Sequence, residues 1–248
     1  QNYSTTSPRC PLKSIGGAIF QKRTSSPKTN PQVSIHFSAQ KFGIYGNTSY
    51  LCTQIMAKDI KKIIQALTYL ANYQPDKMLD NMKVYKLLWL ADRYHLRQTG
   101  RTITGDAYYA MPFGIVPSDA KCLLENAKTK LKEPKGYKNK YLILDNHQYK
   151  AIAEPDLKEF SESDTEALDK VLAAYNQYDA LQLSDISHKF PEWTFYKEML
   201  ENKDAKNSYK IDLDHFFEDA PKEERQLFND SSELIELTKE LYHQYNRV

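Results

Sequence analysis

The sequence predicts an α+β fold, predominantly helical, with helices packed around a buried central helix and a small antiparallel β-sheet or hairpin beside them. Three observations predict it. Val84, Tyr85, Leu87, Leu88, Trp89, Leu90, Ala91, Tyr94 and Leu96 cover nearly the whole circumference of one helix, and a helix apolar all round is buried on most sides. Several other stretches repeat apolar residues at helical spacing on a single face. Only two short regions, near 101–117 and 141–152, favour extended structure.

The elements follow in order. Ile60, Ile63, Ile64, Leu67, Leu70 and Ala71 mark one apolar face of a helix over about 57–73, which Pro75 stops. Asp80 can cap the central helix, about 80–98, and Gly100 can end it. Thr102, Ile103, Tyr108, Tyr109 and Met111 suit extended structure, punctuated by Gly105, Pro112, Gly114 and Pro117. Ser118 reads as the cap of a helix to about 132. The runs 141–144 and 148–152 flank Asp145-Asn146-His147 and read as a hairpin. Ser161 and Asp164 form a capping box with a short acid, opening a helix with Leu168, Val171, Leu172 and Tyr175. A shorter helix spans about 180–189, and Pro191 suits the first position of another. Leu234, Leu237, Leu241 and Tyr245 place a final amphipathic helix over 231–246.

The chain has 248 residues, long enough for one sizeable core. Its net charge of +2 conceals a division. Residues 1–55 hold six Lys or Arg and no Asp or Glu, while the remainder holds 28 basic and 32 acidic residues. The first stretch also carries fourteen Ser or Thr and no sustained apolar period. We therefore expect 1–55 to be a disordered or non-native leader, with the natural start at Met56. A flexible arm for an acidic partner and an organellar transit peptide are the other readings of that stretch. Three scattered Cys offer neither a disulfide framework nor a zinc site and suit a reducing, cytoplasmic setting. No eighteen-residue apolar run exists, so no membrane-spanning helix is expected.

Motifs for chemistry are sparse. The eight Gly form no phosphate loop, and the six His form no helical pair at i, i+4. Neither a cofactor nor a metal is expected. Asp92 and His95 stand three apart, where a carboxylate could orient an imidazole as general base. A structural reading is stronger: a buried Asp92 pairing with an Arg or with backbone amides to fix the helix against its loop. The basic and aromatic stretch 135–141 could contact nucleic acid, but an acidic body favours a solvated loop. The helices near 161–176 and 180–189 could pass for a helix-turn-helix. The second holds one Lys and no Arg, so packing explains it better and nucleic acid is not an expected partner.

The runs Lys86-Leu87-Leu88-Trp89-Leu90-Ala91-Asp92-Arg93-Tyr94-His95-Leu96, Thr99-Gly100-Arg101-Thr102-Ile103-Thr104-Gly105-Asp106 and Ala110-Met111-Pro112-Phe113-Gly114-Ile115-Val116-Pro117-Ser118 resemble the Panacea domain, the SocA-like antitoxin domain associated with phage proteins. The likeness is dense over 83–118 and looser to about 200. Trp89 stands where the family usually has Tyr, and Ile115 where it often has Pro. The resemblance implies a mainly helical domain over 56–200, leaving 201–248 as an acidic helical C-terminal extension. It implies no enzyme but the antitoxin of a type II toxin–antitoxin pair, neutralising a cognate protein toxin by direct binding. A proteolytic adaptor delivering the toxin to ClpXP is the first alternative. A DNA-binding regulator or a phage-associated enzyme follows. Tyr85, Trp89, Met111 and Phe113 are the expected partner-facing residues. Asp92, Arg93, His95, Arg101, Gly105, Asp106, Pro112, Gly114 and Pro117 are the expected structural ones.

Overall fold

A computed structural model of the chain describes residues 60–125, 134–145, 148–202, 206–224 and 227–246. The expected leader and the start at Met56 lie outside them, as do the turn at 146–147 and the expected end of the helix after Ser118. Among the described residues there are eight α-helices and six short strands. α1 is Ile60–Asn72 and α2 is Asn81–Thr99. β1 (Met78–Leu79) lies between them. β2 (Tyr108–Met111) and β3 (Gly114–Pro117) form a tight hairpin leading into α3, Ser118–Leu124. β4 (Leu142–Asp145) and β5 (Gln148–Ala151) form the expected hairpin. Then come α4 (Glu162–Tyr175), α5 (Ala180–Ser187), α6 (Pro191–Thr194) and α7 (Lys197–Glu201). β6 (Tyr209–Lys210), a 3-10 turn at Leu213–Phe217 and α8 (Ser232–Asn246) complete the chain. The strands make two antiparallel sheets of three, ordered β1-β5-β4 and β3-β2-β6.

The architecture is the expected one, a predominantly helical α+β fold centred on α2. Asp80 caps α2 by accepting from the Lys83 N–H at 2.9 Å. Gly100 ends it at φ +77°, its N–H donating to the Leu96 carbonyl. Leu87, Leu88, Trp89, Leu90 and Ala91 have no exposed surface. Each buried side chain of Leu size contributes about 1.5–3 kcal/mol, so this one turn and a half anchors the core. Ser161 and Asp164 form the expected capping box on α4, and Asp179 with Gln182 forms a second on α5.

Two expectations need correction. Ser118 is not the cap of α3: Pro117 holds that position without a side-chain bond. The free N–H groups of Asp119 and Ala120 instead donate to the two oxygens of Asp106, both at 2.8 Å. A carboxylate delivered from the preceding loop satisfies the helix start and complements its positive end. Second, α8 does not bury the expected stripe. Leu237 is 56% exposed and Tyr245 is 38% exposed. Ile235 and Tyr242 pack on the core instead, and buried Thr238 donates to the Arg97 carbonyl at 3.1 Å. The helix is rotated so that a threonine meets the carbonyl end of α2. The core also takes in residues after position 200. β6 pairs with β2, and Phe216, Phe217 and Phe228 share one hydrophobic cluster with α2.

α8 crosses α2 at Gly100. A Cβ there would lie 2.8 Å from the Thr238 carbonyl oxygen and 2.9 Å from Leu241 Cβ. Gly100→Ala adds this clash to the left-handed backbone penalty. Urea unfolding should show a loss of about 2 kcal/mol or more. A loss below about 0.5 kcal/mol would mean that α8 does not pack there as described.

Candidate functional site

Polar side chains project from α2 in several directions, and each reaches a different segment. Lys86 Nζ donates to the Ile115 carbonyl at 2.8 Å. Burial pushes its pKa down to about 7. Asp92 accepts from the Ile103 and Thr104 N–H groups at 2.8 and 3.1 Å, from the Tyr108 hydroxyl at 2.7 Å and from the Thr104 hydroxyl. Burial raises its pKa, and these four donors oppose that. The backbone-amide reading of Asp92 is what the structure contains.

His95 does not meet Asp92. Its Nδ1 lies 2.8 Å from the Arg101 carbonyl and its Nε2 lies 3.0 Å from Ser163 Oγ. A carbonyl can only accept, so Nδ1 carries the proton and Nε2 faces the serine hydroxyl. Burial lowers the pKa of His95 to about 4, so the ring is neutral at pH 7. The alternative of an Asp92–His95 base thus gives way to two separate anchors. Arg101 NH1 reaches Asp164 at 2.9 Å, and Lys62 reaches the same carboxylate at 2.5 Å. Burial of Asp164 works against its charge. Lys62, the Ser161 N–H and Arg101 overcome it and lower the pKa below the usual range.

The largest investment is at Arg93. Its Nε donates to Glu192 Oε1 at 2.9 Å and its NH2 to the Glu218 carbonyl at 2.7 Å. The guanidinium lies 4.9 Å from the Phe190 ring centre and 4.5 Å from that of Phe228. Trp89 Nε1 donates to the same Glu192 oxygen at 3.0 Å. Burial lowers Arg93 and raises Glu192, and each is opposed by the charge of the other. Arg97 extends the pattern to Asp230 at 2.7 Å and to the carbonyls of Phe216, Phe217 and Glu218.

The β2–β3 turn is held from outside. Trp193 Nε1 donates to the Met111 carbonyl and Ser184 Oγ to the Phe113 carbonyl, both at 2.9 Å. Gly114, at φ +92°, sits so close to α2 and α5 that a Cβ would meet Ser187 Oγ at 2.0 Å and Lys86 Nζ at 2.9 Å. Pro112 is exposed at the tip, and Phe113 beside it is 68% exposed. Leu181 is 67% exposed and lies one turn before Ser184 on α5.

Of the four expected partner-facing residues, only Phe113 faces solvent freely. Trp89 has no exposed surface and Tyr85 is buried, which corrects their placement. A helix apolar on every side cannot also offer two of its aromatics to a partner. Met111 is half-buried, its carbonyl engaged by Trp193. Pro117 and Asp106 are buried, and Gly105 sits at the turn between Thr104 and Asp106 with φ +65°. Glu192, Arg97, Lys86, Asp164, Ser184 and Trp193 carry roles that spacing alone did not reveal. Glu192 was open to one hint: an acid at the second position of a helix opened by Pro191. That pattern also occurs on exposed helices. α5, the second helix of the possible helix-turn-helix, turns Leu183, Ser184, Ile186 and Ser187 inward against the hairpin and α2.

Residues 84–194 match the family model described as Antitoxin SocA-like, Panacea domain. The matched segment is similar to that domain. No curated protein and no solved structure matches the chain. The matched segment takes in most of α2, the clamped hairpin, α4, α5 and α6, with both members of the Arg93–Glu192 pair inside it. The match associates this segment with toxin–antitoxin biology. No helix of the described residues is long and apolar enough to cross a membrane, and no group of metal-ligating side chains occurs among them.

Two measurements test the polar anchors. Glu192→Gln leaves Arg93 as a buried, uncompensated cation and should cost about 3–5 kcal/mol in urea unfolding. Asp164 has a depressed folded pKa, so its stabilisation is present above the unfolded value of about 4 and is lost as pH falls through the lower folded value. The wild type should lose stability below about pH 4, and Asp164→Asn should flatten that part of the profile while lowering stability at neutral pH.

Proposed function

We propose that this protein is the antitoxin of a type II toxin–antitoxin pair and neutralises its cognate protein toxin by direct binding, in the cytoplasm. One observation carries the reading. The matched segment presents Phe113, an exposed aromatic side chain, on a turn whose flanking carbonyls are clamped by Trp193 and Ser184. Exposed aromatics on pre-ordered backbone make effective binding anchors. They bury a large apolar ring on association and lose little conformational freedom. Exposed Leu181 on α5 extends the same apolar character. The acidic balance of residues 56–248 complements a basic toxin surface.

The test is co-expression with the product of the neighbouring open reading frame. That product should arrest growth alone and be harmless with this protein. Phe113→Ala should leave folding stability within about 0.5 kcal/mol. It should weaken toxin binding by about 30-fold, as loss of an aromatic anchor worth about 2 kcal/mol implies. Full protection by Phe113→Glu would remove the turn from the interface. The toxin's half-life in the same cells separates masking, where it is unchanged, from delivery to ClpXP, where it falls.

A further inference from the structure

α8 repeats one short pattern three times. Glu233-Leu234, Glu236-Leu237 and Glu240-Leu241 are each followed by a residue turned toward the core, namely Ile235, Thr238 and Tyr242. Successive residues of an α-helix point about 100° apart, so the helix carries three parallel rows. Ile235, Thr238 and Tyr242 form the row that packs inward. Glu233, Glu236 and Glu240 form an exposed row on the other side. Between the two run Leu234, Leu237 and Leu241, continued by Tyr245. Leu237 and Tyr245 are exposed, Leu234 is half-buried, and half-buried Leu241 lies beside Gly100.

This helix is lightly held for its length. Of its fifteen residues only Thr238 is fully buried. An isolated helix of that size is marginal in water and depends on packing of its apolar face, yet the leucine row lies largely outside the core. The acidic row adds a second strain. Glu233 and Glu236 stand at i, i+3, and Glu236 and Glu240 at i, i+4, where like charges work against a helix. The cations of α8 lie elsewhere: Lys239 and His243 both reach Asp214, at 3.5 and 3.3 Å. Glu240 accepts from Gln244, and among the described residues none of the three glutamates forms an ion pair. An apolar row thus runs beside an acidic row that no cation of this chain offsets.

We propose that the leucine row of α8 is a docking surface for a basic amphipathic helix of a partner protein. Apolar side chains of that helix cover Leu234, Leu237 and Leu241, and Lys or Arg beside them faces Glu233, Glu236 and Glu240. From Leu234 to Tyr245 the row is about 16 Å long and one side chain wide, which suits a single helix laid along it. Charge decides between occupants. A second copy pairing through α8 in antiparallel fashion would set the two glutamate rows on the same edge of the seam. A parallel pair would bring neither row a cation. A basic helix offsets the row and relieves the repulsion within it. This surface is distinct from the turn at Phe113, and its test needs no toxin.

Fluorescence anisotropy of the full chain with a labelled Leu/Lys peptide, its leucines at i, i+3, i+4 and i+7, tests the proposal. A shuffled peptide of the same composition and a Leu/Glu peptide with the same leucine spacing are the controls. The Leu/Lys peptide should bind, the shuffled one about tenfold more weakly, and the Leu/Glu peptide not at all. Leu237→Ser should weaken the Leu/Lys peptide about tenfold, as loss of one covered leucine implies, with an unchanged thermal midpoint because Leu237 is exposed. Glu236→Lys combined with Glu240→Lys should reverse the preference and admit the Leu/Glu peptide. Failure of the Leu/Lys peptide to bind, equal binding of the shuffled peptide, or equal binding by Leu237→Ser and wild type overturns the proposal. So does a dimer in sedimentation that Leu237→Ser dissolves, which would give the row to a second copy of this chain.

Discussion

Arg93 and Glu192 lie side by side in the apolar core with no exposed surface on either side chain. Removing two ions from water costs several kcal/mol each, and close pairing alone seldom returns it. Here neighbours offset part of that cost, and Arg93 NH1 and Glu192 Oε2 stay buried without a hydrogen-bond partner among the described residues. Trp89 donates to Glu192, the Glu218 carbonyl accepts from Arg93, and Phe190 and Phe228 face the guanidinium. These contributions come from α2, from the entry to α6 and from two points beyond residue 200. Removing either ion strands the other. Residues on both sides of position 200 surround this one pair, so the region after 200 shares a core with the matched segment.

The same constraint supports the exposed turn. α2 is immobilised by its polar contacts, and the β2–β3 hairpin is fastened to it through Lys86 and Asp92. β2 then carries the chain from Tyr108, held against Asp92, to the turn after Met111, roughly 10 Å of extended chain. Rigidity favours binding there, because no ordering of the turn is charged against it.

Much of this was legible in residue order. Asp80, Gly100, the Ser161–Asp164 box and Pro191 mark helix ends through local backbone chemistry, and all four stand where expected. The all-round apolar character of 84–96 correctly made α2 central. That reading also contained the error over Tyr85 and Trp89. A helix surrounded on every side has no face left for a partner, and aromatic character alone does not tell an anchor from a core residue. The stripe on α8 failed for a related reason. Leu234, Leu237, Leu241 and Tyr245 fit a helical face by spacing, but Thr238 had a carbonyl to satisfy at the end of α2.

The sequence by itself determined where helices start and stop, which helix is buried, and the Panacea likeness, because these depend on neighbours within about four residues or on a contiguous motif. The tertiary structure decided which charges meet. Arg93 and Glu192 are 99 positions apart, Arg97 and Asp230 are 133 apart, and Asp106 caps a helix across an intervening hairpin. Partner choice over such distances depends on how whole elements pack, and no local pattern records it. For the same reason the exposure of Phe113 and the burial of Trp89 became visible only with the fold.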